Sequence, residues 1–315
     1  MNDQAQLAEH FDRSRGHLRG VALRMLGNAD EADDAVQETW LRACRADSGS
    51  VENLTAWLTT IIGRVCLDML RSRNRRREDF ADLAELDMLA PHEEISDPAD
   101  EAVLADSVGL ALLVVLDTLG PAERAAYVLH DLFAVPFDEI AAIVERTPAA
   151  AKKLASRARR RVHGTAVVPS SDLARQRAVV DAFLAASRAG DLDGLLAVLA
   201  PDVVRRADPF ALRGQAAASA EVRGARAVAE ETRTNVRRAR YAYPALVNGA
   251  VGAVVAPHGR LLLVLDIAVA GDRITSIDVI GDPIRLKEIR LGLADLTPPV
   301  AAAWSEPRQP SVQGV

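Results

Sequence analysis

One short segment carries basic side chains at the spacing needed to bind a polyanion. Residues 148–163 hold six Lys or Arg residues and no acidic residue. At roughly 100° per residue, the apolar side chains form one face of a helix, opposite a polar face. That polar face consists of Ala149, Lys152, Lys153, Ser156, Arg157 and Arg160. Because arginine can bond guanine bidentately and lysine often meets phosphate, the face predicts contact with nucleic acid, with a solvated basic helix as the alternative.

The residues before this segment have helix-turn-helix spacing. Helices are predicted over about residues 122–133 and 137–144, followed by a turn at residues 145–147. Thr147 suits the N-cap of the last helix, and Pro148 suits its first position, where the missing N–H is no loss. The pattern therefore predicts a recognition helix held by a small helical domain, with its apolar face against the core.

A second group of cations ends a long helix nearer the N-terminus. This helix is predicted to begin after Asn53 and to carry a broad apolar stripe that includes Trp57. Five arginines lie between Arg71 and Arg77 with no acid among them, so pairs within the helix cannot neutralise them. We interpret them as binding phosphate, whereas a solvated helix end stabilised by the helix dipole is the alternative.

The helix before that one begins with an unusual number of acids. We expect Asp30 to cap it, and five carboxylates occur within nine residues: Asp30, Glu31, Asp33, Asp34 and Glu38. The helix dipole stabilises acids near an N-terminus, but capping needs fewer of them. A basic protein partner is therefore the second interpretation of this cluster.

Length and charge divide the chain into several units. Its 315 residues exceed one ordinary domain, and 38 basic and 44 acidic residues give a net charge of −6. Residues 78–106 hold 11 acids and neither Lys nor Arg, which is typical of a linker. We expect domains over 1–77, 107–164 and 171–290, and a disordered tail over 297–315.

Several classes of protein are disfavoured by the same sequence. Cys44 and Cys66 cannot form a disulfide framework or a four-ligand zinc site by themselves, and we expect neither a metal nor another cofactor. The first residues lack the pattern of a secretory signal. The longest apolar runs fall short of the roughly 18 residues that span a bilayer, so we expect no membrane contact and a cytoplasmic location.

Three segments in this order resemble the extracytoplasmic-function (ECF) sigma factors of the sigma-70 family. They read LRMLGNADEADDAVQETWLRA, NLTAWLTTIIGRVCLDMLRSRNRRRE and LGPAERAAYVLHDLFAVPFDEIAAIVERTPAAAKKLASRARRRV. The resemblance implies two all-α domains, a region 2 helical bundle and a region 4 helix-turn-helix. It also implies a promoter-specificity subunit that binds the β′ and β subunits of core RNA polymerase and promoter DNA, and that is not an enzyme.

The resemblance assigns roles to the charges described above. The candidates for contact with the β′ subunit are Asp33, Asp34, Gln37 and Glu38. The candidates for capture of the −10 element are Asn53, Trp57, Arg64, Arg71, Arg73 and Arg75. The face from Ala149 to Arg160 is expected to read the −35 element.

The third unit is predicted to contain strands as well as helices. Amphipathic helices come first, and alternating or apolar runs at about residues 241–255, 260–269 and 273–280 follow, which indicates an α+β domain with an antiparallel meander. The segments AGDLDGLLAVLAPDVV and ITSIDVIGD resemble the SnoaL-like branch of the NTF2-like cone fold. The resemblance implies an extension that contacts the sigma domains and modulates their activity. The linker and loop motifs common in that subgroup are replaced here by LDMLAPHEE and ADPFALRG.

Two other functions remain open at this stage. A ligand-responsive helix-turn-helix repressor would use the second and third units but would leave the acids of residues 30–38 without a role. A SnoaL-type isomerase or cyclase would need a pocket Asp as general base. The candidates are Asp202, Asp208, Asp266 and Asp278, and no spacing marks any of them. We also expect the linker or the third unit to mask residues 148–162 in the free protein.

Overall fold

The structure is a computed structural model that describes residues 3–46, 51, 53–79, 107–164, 169–213, 219–257 and 260–293. Most of the predicted linker, residues 80–106, lies outside the described residues, and so does the predicted tail over 297–315. The fold is therefore built from the described helices and strands.

Three helices form the N-terminal unit: α1 (Asp3–Leu26), α2 (Ala29–Arg45) and α3 (Leu54–Asp79). Gly27, with a φ of 78°, ends α1 in the left-handed backbone region that glycine tolerates. Asn28 then caps α2, and its side-chain oxygen accepts the N–H of Glu31. The prediction that Asp30 caps this helix is wrong, because the connection from α1 is short and Asn28 already fills the cap position.

The middle unit contains four α-helices and one π-helical turn: α4 (Ser107–Asp117), α5 (Pro121–Tyr127), π1 (Val128–Leu132), α6 (Phe137–Val144) and α7 (Pro148–His163). The predicted helix-turn-helix is confirmed by α6 and α7. Thr147 caps α7 by accepting the N–H of Ala150 at 3.3 Å. The apolar face of α7 is buried, as its period predicted.

The helix predicted over residues 122–133 is not uniform. Its first part is the α-helix α5, and its second part widens into π1. A π-turn rotates the side chains that follow it relative to an α-helix, and such turns often occur at functional sites. Here the turn directs Leu129 and Phe133 toward the N-terminal unit, where they lie near Gly63 and Gly20.

The C-terminal unit, called the extension, is an α+β domain. Its elements are α8 (Ser170–Ala189), α9 (Leu192–Val198), β1 (Leu199–Ala207), β2 (Glu221–Arg223), α10 (Ala225–Thr234), α11 (Val236–Ala239), β3 (Ala242–Val247), β4 (Ala250–Val255), β5 (Leu263–Ala270), β6 (Arg273–Ile280), α12 (Pro283–Glu288) and β7 (Leu291–Gly292). The sheet order is β2-β1-β6-β5-β4-β3-β7. The predicted meander corresponds to β3–β6, and β1 pairs with β6 in parallel.

The two faces of this sheet belong to different cores. Residues of β3 alternate between them, so that Leu246 packs with the extension's own helices and Val247 packs with the helical units. Helix α4 lies between the sheet and α7, and its side chains from Ala111 to Leu116 are all buried. A helix that is apolar on every side needs such a position. The predicted fold class, two helical domains and an α+β domain, is confirmed.

Candidate nucleic-acid interface

The recognition helix presents its predicted polar face to solvent. Ala149, Lys152, Lys153, Arg157 and Arg160 are exposed, and Ser156 is half-buried. The opposite face packs into the core through four small or branched side chains: Ala151, Ala155, Ala158 and Val162. The structure therefore brings together all six residues that the sequence assigned to this face.

The cations of α7 differ in their partners. Glu123 of α5 binds both Arg157 and Arg161, at 3.2 and 2.9 Å. Asp131 of π1 accepts a hydrogen bond from Arg159 Nε at 2.7 Å. Among the described residues, the remaining three cations of the helix have no acidic partner: Lys152, Lys153 and Arg160. These three charges are therefore available to phosphates and base edges without breaking an ion pair.

The residues assigned to the −10 element lie on α3, and half of them face the middle unit. An Arg64 guanidinium nitrogen donates to the Ala142 carbonyl of α6 at 3.5 Å, and Arg71 lies 3.7 Å from Glu145, which follows α6. Arg73 donates to Asp117 of α4 at 2.9 Å. Of the other three residues, Asn53 caps α3, Trp57 is half-buried against the core and Arg75 is exposed.

Asp117 joins the two helical units through Arg73 and Arg124. The sequence alone did not reveal that these two arginines share one acid. It accepts hydrogen bonds from Arg73 at 2.9 Å and from Arg124 of α5 at 3.2 Å. Both arginines also cap the last turn of α1, where Arg124 bonds the Arg24 carbonyl and Arg73 bonds the Leu26 carbonyl. The Arg124 side chain is only 2% exposed, and burial lowers its pKa to about 10. Removing Asp117 would therefore leave a buried cation without its counter-ion.

Apolar packing continues the same contact between the helical units. A Cβ at Gly63 of α3 would lie 3.1 Å from Ile143 Cδ1 and 3.3 Å from Leu129 Cδ1, so α3 approaches α6 this closely because Gly63 has no side chain. The ring of Phe133 lies 5.7 Å below the guanidinium of Arg24 of α1. Helix α3 and the helix-turn-helix are thus packed together.

His17 of α1 lies in this contact and is sensitive to protonation. Its ring meets Phe133 edge to face at 5.3 Å, and Arg24 lies over the same Phe133 ring. The Thr59 hydroxyl donates a hydrogen bond to the Thr55 carbonyl, so its oxygen accepts a hydrogen bond from His17 Nε2 at 3.1 Å. Burial lowers the pKa of His17 below 6.5, because the neutral ring loses less hydration than the charged one.

The closed packing should therefore weaken in acid. A histidine whose folded-state pKa is lowered stabilises the fold fully above its unfolded pKa, and this stability falls as the pH drops below 6.5. Urea titrations measure the free energy of unfolding between pH 7.5 and 5.5. We expect this free energy to fall less steeply with decreasing pH in H17N than in the unaltered chain, and the two slopes to differ by at most about 1.4 kcal/mol per pH unit.

The matched control for this prediction is H10N. His10 lies two turns earlier on α1, is half-buried, and its ring bonds the Thr55 hydroxyl at 2.9 Å. We expect H10N to keep the pH dependence of the unaltered chain. An H17N chain with the same pH dependence as the unaltered chain would contradict the role given to His17.

The acids assigned to polymerase contact lie on α2 and are unequally engaged. Asp33 accepts from Arg19 at 2.8 Å, and Glu38 accepts from Arg42 at 2.8 Å. Asp34 and Gln37 are exposed. Leu41, seven residues after Asp34, lies on the same side of the helix and is 47% exposed. Leu41 is therefore a candidate contact residue. The charge pattern of the sequence did not reveal it, and only its exposure in the structure does.

The extension contacts the end of the recognition helix. The N–H of Leu293 donates to the Val162 carbonyl at 2.8 Å. Next to this bond, Gly164 and Gly292 lie so close that a Cβ on Gly292 would meet the Gly164 Cα at 2.8 Å. The expectation that the third unit masks α7 concerns residues 148–162, and the observed contact reaches only the C-terminal end of that helix.

Of the four candidate general bases of the extension, Asp266 and Asp278 are neighbours on adjacent strands. Asp202 is exposed. Although burial acts in the opposite direction, the N–H groups of Ala211, Asp282 and Gly281 hold the pKa of Asp208 below its ordinary value. Burial raises the pKa of Asp266, which pairs across β5 and β6 with Asp278. Asp208 therefore has a structural role in fixing the chain before α12.

Two further properties bear on cofactors and membranes. In the part of the chain that the structure describes, no group of three His, Cys, Asp or Glu side chains is arranged to hold a metal ion. Every described helix is too short or too polar to span a bilayer. The described residues therefore supply neither kind of site.

Two helical units, one of which carries the exposed basic face of α7, are typical of a protein that binds DNA. The family model of sigma-70 region 2 matches residues 10–76, and that of sigma-70 region 4 matches residues 109–162. The chain is also 39% identical over 194 residues to the probable ECF RNA polymerase sigma factor SigI of Mycobacterium tuberculosis, which covers 62% of this chain and 67% of that relative. The chain belongs to the ECF RNA polymerase sigma factors.

A second relative is similar in sequence. The ECF RNA polymerase sigma factor SigJ of Mycobacterium tuberculosis is 40% identical over 199 residues, which is 63% of this chain and 64% of SigJ. The crystal structure of SigJ covers 89% of this chain and 98% of its own, with 32% identity and a TM-score of 0.44. The matches to both relatives agree with the family given by the two region models.

Proposed function

We propose that this sigma factor reads the −35 element with the polar face of α7 and the −10 element with α3, and that it catalyses no reaction of its own. The observation that carries the proposal is the segregation of α7, whose three unpaired cations face solvent while four apolar residues are buried. A recognition helix needs such a division, because one face must reach base edges while the other is packed.

The function is tested by transcription with purified components. Core RNA polymerase, the full chain and promoters identified from DNA that copurifies with the complex should yield specific run-off transcripts. Core polymerase alone is the control and should yield none from these promoters. Failure of both the full chain and residues 1–164 to direct initiation would contradict the proposal.

The exposed face of α2 is the proposed contact with the β′ subunit. Asp34, Gln37 and Leu41 are exposed on one side of this helix, and the acids around them would attract a basic partner. Asp33 and Glu38 already bind arginines of the same unit. They therefore contribute more to the negative electrostatic field of this face than to direct contacts with the β′ subunit. The apolar Leu41 would lie at the centre of this contact, surrounded by polar side chains.

We expect the double variant D34K/L41D to lose binding to core polymerase by at least about 30-fold, since two contacts worth roughly 1 kcal/mol each are removed and repulsion is added. Fluorescence anisotropy with labelled chain measures the effect. The control D12K/Q6D makes the same change of net charge, +1, at exposed positions of α1 and should bind almost normally. Equal binding by both double variants would contradict the assignment.

The packing of the two helical units supports a closed, inactive state of the free chain. The −10 and −35 elements are separated by about 25 base pairs, or roughly 85 Å of straight duplex at 3.4 Å per base pair. Helices α3 and α6 are in contact, and Arg64, Arg71 and Arg73 face the middle unit. Reading both elements therefore requires the units to separate, and we propose that binding to polymerase drives this opening.

The extension is the proposed regulator of this opening. It contacts α4 through β3 and the end of α7 through β7, so both ends of the middle unit lie against it. Sheet residues such as Val247 complete the core shared with the helical units. Separation of the units would expose part of this core, and the extension would thereby set the free energy of opening.

The repressor and enzyme alternatives are less well supported. A repressor would have no use for the region 2 unit that the family model matches over residues 10–76. An enzyme would need a general base beside a pocket, and the half-buried Asp266 stands across from another acid, Asp278. We therefore propose neither as the function.

A further inference from the structure

Six arginines of the extension lie on one connected surface, called the arginine cluster. They are Arg188, Arg213, Arg233, Arg237, Arg238 and Arg240. Arg188 Nε donates to the Ala239 carbonyl at 3.3 Å, which connects the end of α8 to α11. Two guanidinium nitrogens of Arg238 donate to the carbonyls of Ala211 and Arg213, each at 3.1 Å, which connects α11 to the turn after β1.

The cluster differs from most of the extension in having few acids. Other arginines of the domain have acidic partners, as in the pairs Arg175–Asp172, Arg177–Asp181, Arg205–Glu231, Arg206–Glu221 and Arg226–Glu230. The two acids of α10 are thus both engaged by arginines outside the cluster. Arg233, Arg237 and Arg240 are exposed and have no acidic partner among the described residues.

Helix stabilisation does not account for this concentration of charge. Cations near a helix C-terminus interact favourably with the helix dipole, and Arg233 lies in the last turn of α10. Helix α11, however, has only four residues, and Arg188 and Arg238 already donate to the carbonyls at its end and in the neighbouring turn. Arg237 and Arg240 are therefore left for another anion.

The chemistry of the exposed arginines suits a nucleic-acid backbone. Arg233 lies in the last turn of α10, Arg237 lies within α11, and Arg240 directly follows α11, so three exposed cations occur within eight residues. Arginine binds phosphate with two parallel hydrogen bonds, and the cluster contains no lysine.

The position of the cluster places it within reach of DNA on the recognition helix. Strand β3 begins at Ala242, just after the cluster, and its other end pairs with β7 beside the end of α7. Six strand residues span about 17 to 20 Å, which is roughly half a turn of duplex. Because the −10 element and region 2 lie on the downstream side of the −35 element, the upstream side is open to the extension.

We propose that the arginine cluster binds the phosphate backbone of duplex DNA immediately upstream of the −35 element. The contact is independent of base sequence and adds affinity to the specific contacts of α7. The extension would thus be a third DNA-binding unit of the initiating complex as well as a regulator of its opening. The inference rests on the proposed function, because it requires promoter DNA to be held on α7.

The test measures how salt weakens the complex of the full chain, core polymerase and promoter. Two probes are compared, one ending close to the −35 element and one extended upstream by about 20 base pairs, or roughly two turns. Each contacted phosphate changes the slope of log affinity against log salt by about 0.9. The variant R237Q/R240Q should therefore lower the slope by about 2 on the extended probe and leave it unchanged on the short one.

The matched control is K287Q/R290Q, which removes two exposed cations near the opposite end of β3. An unchanged slope in R237Q/R240Q on the extended probe, or an equal fall in the control or on the short probe, would overturn the proposal. A rise in DNA affinity in R237Q/R240Q would also overturn the proposal. It would indicate that the arginine cluster binds the acidic residues 78–106 instead of DNA. If the unaltered chain forms no promoter complex at all, the proposed function itself fails.

Discussion

Replacing Asp117 with asparagine should open the free chain and allow it to bind promoter DNA without polymerase. The asparagine keeps the size of the side chain but removes the charge that Arg73 and Arg124 share at 2.9 and 3.2 Å. Breaking a buried ion pair costs about 3 kcal/mol or more, and Asp117 is partly exposed, so we expect the lower figure. The closed-to-open ratio should therefore fall by about 100-fold.

Electrophoretic mobility shift with a −10 and −35 duplex measures this effect in the absence of polymerase. D138N is the matched control, because Asp138 is an exposed acid of the same unit at the start of α6. Unfolding followed by circular dichroism shows whether the helices persist in D117N. A folded D117N chain that binds the duplex no better than D138N would contradict the closed state.

Removing the three unpaired cations of α7 should abolish transcription that depends on the −35 element. A bidentate arginine contact to guanine contributes about 1–3 kcal/mol of discrimination, and each lysine contributes to phosphate affinity. The triple variant K152A/K153A/R160A should therefore direct run-off transcription at least about 100-fold less well than the unaltered chain. Its binding to core polymerase should be unchanged, because these residues lie far along the chain from the α2 face.

The control for this variant lies on the same helix. R159Q/R161Q also removes positive charge, but these two arginines bind Asp131 and Glu123 within the middle unit. Both arginines are exposed, so we expect the helices to persist in this variant, which circular dichroism checks. An equal loss of transcription in both variants would indicate a general charge effect and contradict base reading by this face.

The recognition helix could be predicted from the sequence because its information is local. The apolar period of 3.6 residues, Thr147 as cap and Pro148 at the first position all lie within one segment, and each has a direct physical reason. The strands of the extension were similarly indicated by alternating or apolar runs of residues. The six residues of the α7 face therefore lie on one side of that helix, whereas three of the six residues assigned to the −10 element face the middle unit.

The contact between the units could not be predicted, because its residues are distant in the sequence and individually ordinary. Asp117 and Arg124 are one acid and one arginine among many, and only the fold brings them to Arg73 and the end of α1. The π-turn that directs Phe133 has no periodic signal. The exposure of Leu41 on α2 could not be predicted either, since exposure depends on what packs nearby.

The distance between the two helical units, in the free chain and in the initiating complex, tests the central claim most directly. Fluorophores on D12C of α1 and D138C of α6, in a chain with C44S to remove the exposed thiol, report this distance by energy transfer. The account predicts efficient transfer in the free chain and its loss when polymerase and promoter are added, as the units move toward a separation of roughly 85 Å. Efficient transfer that persists in a transcriptionally active complex would contradict it.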